Sequence, residues 1–305
     1  SPTVNLHGVV TGGLDLDQVG DVNLLAGSEI DATTYTQTGG NVNINGGTLR
    51  FNTASVTGGT LTFTSGEIAV KQDADLTDPF LASLITSALA SGQTLSVEGR
   101  LTTPTTLQIA GGTINATESI RLAADNEVSG FGIVNAEFDG KDDSLLEVTG
   151  GQLVIGDATS FKGFETDGDI TVESTGTLAI NDRDFAVLGG LTTLAGGLIT
   201  ANNGVFVAGG QVIDGYGGIE GALSAAFGST INADGGTLQL GSTGAFDGFF
   251  SDGRLFTNEN EIILVDADAA VLGSLTDMGT DTQDGTLTAT NGFLLEQGKT
   301  VIGRG

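Results

Sequence analysis

Val128-Ser129-Gly130-Phe131-Gly132-Ile133-Val134 and Ile213-Asp214-Gly215-Tyr216-Gly217-Gly218-Ile219 stand 85 residues apart, and the likeness runs on beyond them. Residues 128 to 170 overlay 213 to 255 without a gap, at 12 identities in 43 positions. Gly150-Gly151-Gln152-Leu153-Val154-Ile155-Gly156 falls on Gly235-Gly236-Thr237-Leu238-Gln239-Leu240-Gly241. Phe161, Gly163, Phe164, Asp167 and Gly168 fall on Phe246, Gly248, Phe249, Asp252 and Gly253. A composition this biased supplies only about a third as many matches by chance, so the stretch reads as an internal duplication.

The same offset extends outward. Gly111-Gly112-Thr113-Ile114 meets Gly196-Gly197-Leu198-Ile199, and Ser65-Gly66-Glu67-Ile68-Ala69-Val70 more faintly meets Gly150-Gly151-Gln152-Leu153-Val154-Ile155. Three units follow, at 43–127, 128–212 and 213–299. Residues 1–42 precede them as an N-terminal strand or capping rungs, within which Val4 to Val10 reads as a strand. In the third unit Ala270-Val271-Leu272-Gly273 and Asn291-Gly292 match Ala186-Val187-Leu188-Gly189 and Asn203-Gly204 at offsets of 84 and 88, so a few residues are added in a loop near 279–284. Residues 300–305, Thr300-Val301-Ile302-Gly303-Arg304-Gly305, repeat the openings of units two and three and read as the start of an unfinished rung.

Within a unit the apolar residues alternate, as in Leu153-Val154-Ile155, Ile170-Thr171-Val172, Leu178-Ala179-Ile180 and Val205-Phe206-Val207. Alternation at period two buries one face of a strand and solvates the other. The doublets Gly46-Gly47, Gly58-Gly59, Gly111-Gly112, Gly150-Gly151, Gly196-Gly197, Gly209-Gly210 and Gly235-Gly236 read as turns, each feeding a short strand. A chain that coils and stacks on itself explains the long period, and four rungs per unit give roughly 21 residues per rung, within the solenoid range. The expectation is an all-β chain, a parallel β-helix or β-solenoid with about 14 rungs. A tandem array of sandwiches is the all-β alternative, but it calls for more proline and clearer hairpin turns.

One stretch departs from the pattern. Residues 79–90 place apolar side chains at 80, 81, 84, 85, 88 and 89, which is helical spacing. With Asp78 as N-cap, Pro79 in the first turn and Gly92 beyond the end, a short helical insertion packed on the solenoid is expected.

Composition limits function. The 305 residues hold 50 glycines, 3 prolines, no cysteine or tryptophan, and 38 acidic against 10 basic side chains, a net charge of −28. That charge repels a phosphate backbone and an anionic membrane surface, which argues against nucleic-acid partners. No apolar run approaches the roughly 18 residues of a membrane-spanning helix, so no membrane insertion is expected. Without cysteine there is neither a disulfide scaffold nor a thiolate site. The opening at Ser1, with no Met and no signal peptide, fits a mature, processed product or a trimmed chain.

No catalytic, cofactor-binding or metal-ligating residue is assigned. The single histidine, His7, lies between Leu6 and Gly8 and reads as an ordinary strand residue. No Gly-x-Ser-x-Gly elbow accompanies it, so nucleophilic catalysis has no visible machinery. Carboxylate pairs need more attention, since they do glycosidase chemistry. The clusters are Asp73/Asp75/Asp78, Asp139/Asp142/Asp143, Asp182/Asp184, Asp266/Asp268 and Asp281/Asp284. Positions 224–228, which align with the 139–143 cluster in the next unit, hold no acid, as in a variable solvated loop. The chain is therefore expected not to be an enzyme. Calcium is the ion these acids would suit, as at Asp139 to Asp143 or Asp15-Leu16-Asp17, but no calcium-loop spacing is present and no cofactor is expected.

The phrases Val128-Ser129-Gly130-Phe131-Gly132-Ile133-Val134 and Gly235-Gly236-Thr237-Leu238-Gln239-Leu240 resemble the repeats of bacterial secreted β-helix proteins, the autotransporter passengers and filamentous-haemagglutinin-type adhesins. The resemblance spans roughly residues 43–305. It implies a right-handed β-helix at the cell surface or in an extracellular matrix, and it transfers no site residue. The leading expectation is an extracellular structural protein, a subunit that assembles end to end into a homopolymeric fibre or matrix filament by strand pairing at solenoid ends. Its partner is then another copy of itself, with cell-surface or matrix glycans as further candidates. The alternatives are a monomeric adhesin or fragment of a longer autotransporter-like passenger, and a polysaccharide-degrading β-helix enzyme.

Overall fold

A computed structural model describes residues 3–16, 20–78, 81–82, 88–156, 163–244, 248–280 and 283–304. Two compact units make up the chain, Ser1–Arg121 with Gly132–Ala136 and Leu122–Phe131 with Glu137–Gly305. Both are parallel β-solenoids, and the chain winds about 13 turns against the 14 expected.

In the first unit one inward column runs through Val10, Ile30, Leu49, Ile68, Leu95 and Ile114, each the Cα partner of the next. From Ile30 to Ile114 these side chains are buried. Ile30, Leu49 and Ile68 follow one another at 19 residues per turn, whereas Ile68 to Leu95 takes 27, with Ala74–Asp75 still paired in the ladder to Leu101–Thr102. Outside the ladder, asparagines stack on asparagines. Asn43 donates to Asn23 at 2.9 Å, and Asn23 donates to Asn5 at 2.8 Å. Each amide is donor to one turn and acceptor to the next, which satisfies both of its ends along the stack.

The second unit repeats the plan with three strand segments per turn, as in Asp169–Glu173, Thr177–Ile180 and Ala186–Val187. Its inward column of Leu153, Leu178, Ile199, Ile219, Leu240 and Leu264 is wholly buried. Phe138 and Phe164, Cα partners on adjoining turns, are buried and stack with ring centroids 5.3 Å apart. Among the described residues one pair is antiparallel, Gly279–Thr280 with Gln283–Asp284. It falls in the loop where residues are added to the third repeat, and the parallel pairing of all the other described strands excludes sandwiches.

Two sequence expectations need correction. The glycine doublets at 46, 111, 150, 196 and 235 do not end strands; they lie inside Asn41–Phe51, Thr106–Leu122, Leu145–Ile155, Leu191–Ala201 and Thr230–Ser242. There the chain bends while the pairing shifts register, as between Ala195 and Leu198, so the ladder continues around the bend. The helical insertion near 79–90 is shorter than its spacing suggests. Leu81 and Ala82 are helical, and Asp78 caps them, accepting from the Leu81 N–H on its side chain at 3.3 Å and from the Ala82 N–H on its carbonyl at 2.8 Å. Leu89–Ala90 is a strand paired with Ile109 and Ala110. Residues 79–80 and 83–87 lie outside the described residues, as do Phe161 and Phe246.

Candidate functional site

The acid clusters divide into corners and surface. Asp182 and Asp266 are almost fully buried, at 6% and 2% exposure, and each closes a corner of the solenoid. Asp266 accepts the N–H of Phe249 at 2.8 Å, of Gly248 at 3.2 Å and of Asp268 at 3.0 Å. Asp182 accepts the N–H of Phe164 at 2.6 Å and of Asp184 at 3.1 Å. The carboxylate thus ties its own corner to the corner of the preceding turn. A second device completes it: Asn203 donates to the Asp182 carbonyl at 2.6 Å, and Asn291 donates to the Asp266 carbonyl at 2.7 Å. A buried carboxylate whose oxygens accept backbone amides from two turns has a structural role in holding the corner.

The other clusters are open to solvent and do local work. Asp75 accepts from the Thr77 N–H at 2.9 Å and its hydroxyl at 2.8 Å, and Asp73 accepts the Arg100 N–H at 2.8 Å. Asp139 pairs with Lys141. Asp143 sits at φ 63°, next to Asp125 at φ 62° on the adjoining turn, with the Asp125 N–H donating to the Asp143 carbonyl at 3.1 Å. Aspartate tolerates this left-handed conformation better than most residues, which accounts for its presence at both corners. Asp284 pairs with Arg304 at 3.5 Å, while Asp281, Asp17 and the side chain of Asp15 lie outside the described residues. Among the described residues no three acids or histidines converge as metal ligands. His7 is exposed in the bend between Thr3–Leu6 and Val9–Leu16, so it is a corner residue and not part of a strand.

The sequence reading noted both acid pairs and the Asn203/Asn291 match without connecting them. The signal was present: an Asp-x-Asp corner followed 21 or 25 residues later by Asn-Gly, twice.

The turns at either end of the described chain differ chemically from those between. In the first unit Val4 is the Cα partner of buried Val22, yet it is 49% exposed. In the second, Phe293 partners the buried Ala270 and is 51% exposed, with Leu294 beside it at 50%. Val301, partner of buried Thr276, is half-buried. Val4, Phe293 and Val301 continue the inward columns and remain open on one side, whereas Leu294 follows the outward, half-buried Val271.

Comparison with protein-family models, curated proteins and solved structures found no match to this chain. No helix among the described residues is long and apolar enough to cross a membrane.

Proposed function

We propose that this chain is an extracellular structural protein of the bacterial surface or matrix, a β-solenoid subunit whose terminal turns stack on those of further copies to build a fibre. The observation that carries the reading is the half-exposed apolar pair of Phe293 in one unit and Val4 in the other, each continuing a buried column. A strand edge with open N–H and C=O groups above an apolar face is a template for another strand, and a head-to-tail contact of this kind propagates without closing. The corner carboxylates support the same reading, since the buried acids brace turns against one another. The likeness of its repeats to secreted bacterial β-helix proteins supports an extracellular reading.

Sedimentation velocity and electron microscopy over a concentration series test it. Growth from single copies to filaments is expected, with Phe293→Lys suppressing growth while leaving the melting temperature within a few degrees. Single-copy particles throughout the series would overturn assembly and leave the surface-adhesin reading in its place.

A further inference from the structure

The second unit carries a groove of about 600 Å³ that crosses four successive turns at one corner of the solenoid, lined by Asn181, Phe185, Asn202, Asn203, Glu220 and Ser242 among others. Its origin is a difference in corner length. Between the strand ends Ile180 and Ala186 the corner takes five residues. The corners of the next two turns are shorter, with three residues from Ala201 to Val205 and two from Glu220 to Leu223. The short corners make a floor of Gly221 and Ala222, with Gly204 beneath the Phe185 ring. With strands about 4.8 Å apart, four turns span about 14 Å.

We infer that this groove is a binding site for a neutral oligosaccharide, with Phe185 as the stacking platform. The ring is 49% exposed although it belongs to a corner whose neighbours Asp182 and Ala186 are buried. It lies on the floor so closely that a Cβ on Gly204 would come within 2.9 Å of Cε1, so the glycine is what lets the ring lie down. A flat apolar surface presented to water in this way suits the C–H face of a sugar ring.

The polar groups around the ring match hydroxyls better than charges. Asn181, Asn202 and Asn203 each offer a donor and an acceptor, as a sugar hydroxyl does, and Thr200 and Ser242 add hydroxyls of their own. Asn181, Asn202 and Glu220 make no side-chain hydrogen bond to another described residue, so their capacity is open to a ligand. Among the described residues no lysine or arginine lines the groove, Glu220 does, and the chain as a whole carries −28. An anionic sugar would meet repulsion with no cation to offset it. The inference concerns the side of the solenoid and needs no second copy, so it stands or falls apart from end-to-end assembly.

Titration calorimetry with cellotetraose, maltotetraose and chitotetraose as uncharged probes, and tetragalacturonate as the anionic one, tests it. At least one uncharged probe binds, Phe185→Ala weakens it by about tenfold or more, and Asn202→Ala weakens it by a smaller factor. Phe227→Ala, which removes a ring 79% exposed outside the groove, leaves it unchanged. Thermal unfolding of each variant establishes that it is folded, and Asn202→Ala serves if Phe185→Ala is not. Absence of binding by all three uncharged probes, preference for tetragalacturonate, or binding that a folded Phe185→Ala or Asn202→Ala retains in full would each overturn the assignment.

Discussion

Gly168 and Gly253 occupy equivalent places in the 85-residue repeat, and the structure gives them the same reason to be glycine. A Cβ on Gly168 would stand 2.2 Å from Ser144 Oγ and 2.5 Å from the Ser144 carbonyl; on Gly253 it would stand 2.2 Å from Ser229 Oγ and 2.8 Å from the Ser229 carbonyl. Each meets backbone that belongs to the turn before and has no room to move. Gly168→Ala and Gly253→Ala should each lower stability by about 2 kcal/mol, in the range of overpacked sites, while Gly8→Ala, with open space around it, should be nearly neutral. Denaturant unfolding of the three variants measures this, and equal stability of all three would contradict it. The identities were legible in sequence, but their cause was not, because a repeat match does not say which backbone lies behind a glycine. Tyr35 was less legible still. Its hydroxyl donates to Gln37 Oε1 at 2.7 Å inside the first unit, and the Gln37 amide donates to the Thr60 carbonyl at 3.0 Å. Burial raises the Tyr35 hydroxyl above the ordinary range for phenols. The unfolded chain therefore loses this proton first as pH climbs, so the contribution is fully present below about pH 10 and is lost above it. Melting temperature followed against pH should show this alkaline fall, and Tyr35→Phe should make it shallower at the cost of about 1 kcal/mol for an acceptor left without its donor.

At the scale of corners and strands, the two Asp-x-Asp corners are the clearest construction. Asp266→Ala leaves the N–H groups of Gly248, Phe249 and Asp268 without their acceptor, and a loss of about 3 kcal/mol is expected. Asp266→Asn keeps one accepting oxygen and should cost about half as much. Thermal unfolding separates these outcomes, and an unchanged midpoint for Asp266→Ala would show that the corner holds without its carboxylate. The same scale explains the misread doublets. Glycine pairs ordinarily end strands, because glycine loses the most entropy on ordering and offers no side chain to pack. In a solenoid the strand is held by ladders to the turns before and after, so a bend at Gly196-Gly197 survives within one strand. An aromatic ring completes the equivalent bends. Phe131 lies 3.1 Å from where a Cβ of Gly151 would be, and Tyr216 lies 3.2 Å from that of Gly236. Leu89 was misassigned to the helix because its apolar spacing fits either element, and pairing with Ile109 decided in favour of strand.

For the molecule as a whole, the fold was readable because one architecture answers a long period, alternating strands and little proline at once. The groove beside Phe185 was not readable, since it arises from corner lengths that only the strand boundaries reveal. Charge is the property that bears most on assembly. Each copy carries −28, with 10 basic side chains against 38 acids, so two copies that meet through apolar turns must also overcome repulsion between their acidic surfaces. The reach of that repulsion is about 30 Å at 0.01 M salt and about 8 Å at 0.15 M. Assembly through the half-exposed Phe293 should therefore be weak at low ionic strength, rise steeply toward physiological salt and level off once the charges are screened. Contacts held by ion pairs run the other way and dissolve as salt is added. Light scattering across a salt series at fixed concentration distinguishes the two. A rise that Phe293→Lys abolishes identifies the apolar turn as the contact, and a fall with salt in the unaltered protein would refute an apolar end contact.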